Sequence, residues 1–153
     1  MIVHFICRGN AFRSVMAEAY LNSKRLPGVT AISSGTVGGA NKEANSAAFK
    51  RNQAILKDHG LETFTKDHHG DQLTPERIKN SDVVVFLNQI VRDEYDQSWP
   101  KLPARTYVWN ITDASELAHP PETDAERVAY ARHVLHEISQ EVDTLIAKDL
   151  KVL

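Results

Sequence analysis

The chain has 153 residues, 42% apolar and 25% charged, the make-up of one domain that can bury a single core without disulfide or metal staples. A formal net charge of −2 argues against general affinity for nucleic acid or anionic membranes and leaves any anion binding to a local site. One cysteine rules out an intramolecular disulfide, no apolar run reaches membrane-spanning length, and the first residues lack the segments of a secretion signal, so a reducing, cytoplasmic setting is expected.

Residues Ile2 to Ile6 form a short apolar, β-branched and aromatic run that predicts a buried strand. From Arg13 to about Arg25 the composition turns helical, and Leu26-Pro27-Gly28 stops it. A second strand fits Val29 to Ser34. A loop from Gly35 to Asn45 leads into a helix from about Ser46 to His59, ended by Gly60. Thr74-Pro75-Glu76 combines a capping hydroxyl, an N-terminal proline and an acid near the positive end of the dipole, and so starts a short helix. Asp82 to Leu87 shows no polar alternation and predicts a central strand covered on both faces. Residues Asn88 to Gln97 are expected to be helical, and Arg105 to Trp109 to form a last strand. The final helix opens with capping-box spacing between Thr123 and Glu126. Its core-facing stripe is Val128, Ala131, Leu135, Ile138, Val142 and Leu145. This order predicts an α/β fold: one three-layer domain spanning residues 1–153, with a four-stranded parallel sheet and helices on both faces.

Ligands of such sheets bind where a strand's carboxyl end turns into a helix. Here that turn is Cys7-Arg8-Gly9-Asn10-Ala11-Phe12-Arg13-Ser14. A loop that wraps a tetrahedral anion points successive backbone N–H groups inward, which calls for residues tolerant of positive φ, and Gly9 and Asn10 suit best. The following helix aims its unpaired N–H groups and dipole at the same point. Arg13 adds a planar, two-pronged donor that lysine could not reproduce. The same positive field favours the thiolate of Cys7, making it a nucleophile rather than a small buried hydrophobe.

Cys7-x-Gly9-Asn10-x-x-Arg13-Ser14-x-Met16-Ala17-Glu18-Ala19 resembles the N-terminal signature of low-molecular-weight protein-tyrosine phosphatases and the related arsenate reductases. Ser33-Ser34-Gly35-Thr36, His68 with Gln72 to Glu76, and Asp82 to Asn88 resemble later segments of that family. The resemblance implies a flavodoxin-like fold of the phosphotyrosine phosphatase I type and a phosphomonoester hydrolase acting through a phosphocysteine. Cys7 would attack phosphorus while Arg13 and the backbone of Arg8, Gly9, Asn10, Ala11, Phe12 and Ser14 hold the phosphate oxygens. Ser14 would steady the thiolate, and Asn10, Ser33 and His68 would form a supporting hydrogen-bond network. Its substrate would be a phosphorylated protein or a small phosphomonoester, with no cofactor and no metal.

An aspartic acid on a late loop would act as general acid and base. Asp113 stands there without the family's following proline, and Asp124 is the alternative. The usual flanking aromatics are absent from 37–41 and 114–117. Phe12 stands where many relatives carry a second cysteine, and Arg8 adds a charge that favours an acidic substrate or is simply solvated. Two rival readings share the loop: an arsenate reductase served by an external thiol, and a phosphate- or phosphoprotein-binding module without turnover.

Overall fold

The computed structural model describes residues 1–150, the side chain of Ser115 excepted. Four strands, β1 (Ile2–Cys7), β2 (Thr30–Gly35), β3 (Val83–Phe86) and β4 (Arg105–Val108), pair in the order β2-β1-β3-β4, and every pairing is parallel. Helices α1 (Arg13–Ser23), α2 (Ser46–Asp58) and α5 (Asp124–Asp149) carry the larger core; α3 (Pro75–Lys79) and α4 (Gln89–Asp93) adjoin the smaller. The sheet therefore separates two apolar layers, and the strands sort their residues by parity. Val3, Phe5, Val83 and Val85 join the larger core; Ile6, Val84 and Phe86 join the smaller. β3 is wholly buried, as its unbroken apolar run requires.

Order reverses at β1, which has β2 on one side and β3 on the other. The crevice of a doubly wound sheet opens at such a reversal, and the loop after β1 lies there.

Two elements depart from the sequence expectation. α4 is one short helix ending at Asp93 rather than reaching Gln97, because Asp96 Oδ1 accepts from the Ser98 amide at 2.8 Å and organises a turn instead. In α5, Ala131, Leu135, Ile138, Val142 and Leu145 are buried as the stripe predicts, while Val128 is half-buried and Val134 is buried beside them. No helix among the described residues is long and apolar enough to cross a membrane.

A buried histidine ties β1 to its neighbours. His4 Nε2 lies 2.8 Å from Ser34 Oγ and Nδ1 lies 3.1 Å from Ser81 Oγ. Burial, then the charges of Arg77 and Lys66, push its pKa down from 6.5 to about 3. The folded protein thus holds His4 neutral where the unfolded chain protonates it. Stability from this site is intact above pH 6.5 and drains away as pH falls toward 3, by ~1.4 kcal/mol per pH unit. Glu18, raised by burial, acts in the opposite sense: its contribution is full below its ordinary value and is lost as pH rises through the raised one. Urea unfolding between pH 7 and 4 should therefore show a steeper loss for wild type than for His4→Asn. Parallel slopes would refute this account.

Candidate active site

Cys7 ends β1 with its sulfur turned into the loop, 2.9 Å from Ser14 Oγ and 3.2 Å from the Asn10 amide nitrogen, which donates to it. The loop holds this shape because its carbonyls are engaged from outside. Cys7 O and Arg8 O accept from the amides of Thr36 and Val37 at 3.0 Å each, and Asn10 O accepts from Gly70 N at 2.9 Å. Asn52 of α2 donates through Nδ2 to Ala11 O at 3.2 Å and Phe12 O at 3.3 Å. With these carbonyls engaged from outside, the Asn10 amide turns inward to the sulfur.

Of the two residues expected at positive φ, only Asn10 adopts it, at +52°. At Gly9 a Cβ would stand 2.4 Å from Asn45 Nδ2, the end of a side chain that can turn aside. Gly35, at the end of β2, is needed for space. A Cβ on it would stand 2.5 Å from Arg8 O, so glycine lets the second strand close on the loop backbone.

Arg13, the first residue of α1, is buried, and its guanidinium reaches across the sheet's end. Nη1 donates to Ile111 O at 3.0 Å and Nη2 to Asp113 Oδ2 at 3.0 Å. Cys7, Arg13 and Asp113 line one cavity of about 310 Å³. Asp124 does not line it. That carboxylate is 91% exposed at the start of α5, paired with Arg127 at 3.2 Å and Arg51 at 3.9 Å.

The aromatic wall missing from 37–41 and 114–117 comes from elsewhere. Phe12 lines the cavity with Tyr130 of α5, their ring centroids 6.4 Å apart. The Tyr130 hydroxyl donates to Thr112 O, beside Asp113. Burial, then the Asp113 charge, pushes the tyrosine up to about 12, so it stays a neutral donor. α5 thereby fastens the loop that carries the carboxylate. Arg8 turns outward to Glu94 at 3.4 Å and lies outside the cavity, so its contribution to the loop is through its backbone.

The supporting network is present with one member exchanged. Asn10 Nδ2 donates to Ser14 Oγ at 3.0 Å and to Ser33 Oγ at 2.9 Å. His68 does not touch Asn10 or Ser33 and reaches the network only through Asp71: its ring is 52% exposed and lies 3.0 Å from Asp71 Oδ1. Lys66 takes the place, with Nζ 2.7 Å from Asn10 Oδ1, 3.0 Å from Ser33 O and 2.8 Å from Asp71 Oδ2. The site offers three acceptors. An ammonium has three donors where an imidazole has at most two, and the lysine stem also reaches further from the chain. Nothing in the Lys66-Asp67-His68 string distinguishes these alternatives.

A family model described as low molecular weight phosphotyrosine protein phosphatase matches residues 2–152. The chain belongs to this family. The chain is also similar to a protein-arginine-phosphatase from Geobacillus stearothermophilus, 32% identical over 103 residues, which are 67% of this chain and 65% of that protein. Among solved structures, an arginine phosphatase from the same organism superimposes with a TM-score of 0.75 at 26% identity, covering 96% of this chain and 91% of that one. A low molecular weight protein tyrosine phosphatase from T. tengcongensis gives a TM-score of 0.68 at 23% identity, covering 97% and 99%, and shares the fold.

Proposed function

We propose that the chain is a protein phosphatase of the reducing cytoplasm that works through a phosphocysteine on Cys7. The observation that carries this reading is one cavity holding a thiol 2.9 Å from a serine hydroxyl together with an arginine–aspartate pair at 3.0 Å. In the first step the Cys7 thiolate attacks phosphorus as the bond to the leaving atom breaks. Arg13 and the loop amides hold the three peripheral oxygens, and Asp113 gives its proton to the leaving atom. In the second step Asp113, now a carboxylate, takes a proton from water. That water attacks phosphorus, the S–P bond breaks, and the Ser14 hydroxyl hydrogen-bonds to the departing thiolate. Inorganic phosphate leaves and every group is restored.

The substrate is a phosphorylated protein side chain with a flat leaving group, for which Phe12 and Tyr130 supply the wall. Phosphotyrosine fits that wall. Phosphoarginine is the second reading, supported by the name of the 32% identical relative and by a carboxylate, Asp113, already hydrogen-bonded to a guanidinium. Arg51 and Arg127 also line the cavity, both beside Asp124, and offer further donors to a phosphorylated segment.

A metal-free assay with EDTA and fresh reductant tests the proposal, using p-nitrophenyl phosphate, a phosphotyrosyl peptide and a phosphoarginyl peptide. Vanadate-sensitive release of phosphate supports it, and the ratio of kcat/KM for the two peptides chooses the substrate. Binding of phosphate without turnover of any of the three would sink the enzyme reading in favour of a binding module.

A further inference from the structure

The side-chain amide of Asn10 is fully engaged. Nδ2 sends its two hydrogens to Ser14 Oγ at 3.0 Å and Ser33 Oγ at 2.9 Å. Oδ1 accepts from Lys66 Nζ at 2.7 Å and from the Asp71 amide at 3.0 Å. An ammonium and a backbone N–H can only donate, so an amide turned the other way would set donors against donors. Lys66 matters twice here, because it also grips Asp71 Oδ2 at 2.8 Å and so steadies the residue whose N–H is the second donor.

The orientation has a consequence at the sulfur. Ser14 Oγ already receives a hydrogen from Asn10, which leaves its single proton for Cys7 Sγ at 2.9 Å. Ser33 Oγ is in the same position and donates to Glu18 Oε2 at 3.3 Å. If the amide were free to turn, the Ser14 proton could go to Oδ1 and the sulfur would lose its donor. We propose that Lys66 is the positioning residue of this site, holding the Asn10 amide in the orientation that turns the Ser14 proton toward Cys7 Sγ. Its side chain is 11% exposed, with Asp71 against the ammonium and Glu18 and His4 within its field. The effect on the sulfur stands by itself; the effect on turnover rests on the phosphatase reading above.

The test measures iodoacetamide alkylation of Cys7 against pH in wild type, Lys66→Met and Lys66→Gln, alongside kcat and KM with p-nitrophenyl phosphate. Methionine keeps the stem and removes every donor; glutamine keeps a polar group and secures folding if methionine does not. The alkylation midpoint should rise by about one pH unit with methionine and in the same direction with glutamine, because the thiolate loses a donor. Turnover should fall ~10–100-fold in kcat with KM changed far less, as for loss of a residue that orients a reacting group. Unchanged midpoints in the folded variants, even with a lowered Tm, would reduce Lys66 to a structural brace and overturn the proposal. A raised midpoint beside a wild type that hydrolyses no phosphate would keep the positioning role and discard the phosphatase reading.

Discussion

Cys7→Ser should lower phosphate release by on the order of 10⁴-fold or more while the protein still binds vanadate or phosphate. The size of the effect follows from the nucleophile. A serine hydroxyl is a far weaker nucleophile than a cysteine sulfur and a poorer leaving group in the second step. The anion cradle survives the change because it is made of backbone and Arg13, anchored by Asn52, Gly70, Thr36 and Val37. Single-turnover kinetics beside isothermal titration with phosphate would separate the two. Residual turnover within about tenfold of wild type would exclude Cys7 as the nucleophile.

Asp113→Asn should cost ~10²–10⁴-fold in kcat/KM for a phosphotyrosyl peptide and distinctly less for p-nitrophenyl phosphate. Asparagine keeps the shape and can still accept from Arg13 Nη2, now 3.0 Å from Asp113 Oδ2, so the guanidinium keeps its anchor. What disappears is the proton. A phenolate that is a poor leaving group needs it, while nitrophenolate departs without much help. With the activated substrate the first step should therefore outrun the second, leaving an initial burst of nitrophenol followed by slow turnover. Asp124→Asn is the control: its carboxylate is 91% exposed and outside the cavity, and the change should stay within about twofold. Equal losses for both substrates, or a larger loss at 124 than at 113, would remove Asp113 from the acid role.

These experiments bear on residues that differ in how they can be read. The parallel sheet, the buried third strand and the stripe of α5 were legible because periodicity and turn residues express themselves within a few positions of the chain. So was the Cys7-to-Arg13 loop, whose thiol, left-handed asparagine and guanidinium all lie between one strand and the helix that follows it. The fourth strand was legible in place but not in character: β4 is an edge strand with Arg105 and Val108 exposed.

Sequence by itself determined the layers of this protein and the identity of the groups at the bottom of its cavity, since those follow from local pattern and covalent neighbourhood. Tertiary structure alone decided what surrounds them. It brought Asp113 rather than Asp124 to Arg13, supplied Tyr130 as the facing wall from a helix far along the chain, and set Gly35 against the backbone of Arg8. It also chose Lys66 over His68. The two stand two residues apart in one polar loop, and the choice was made by three oxygen acceptors, on Asn10, Ser33 and Asp71, that meet only when the chain is folded and that three ammonium protons can satisfy together.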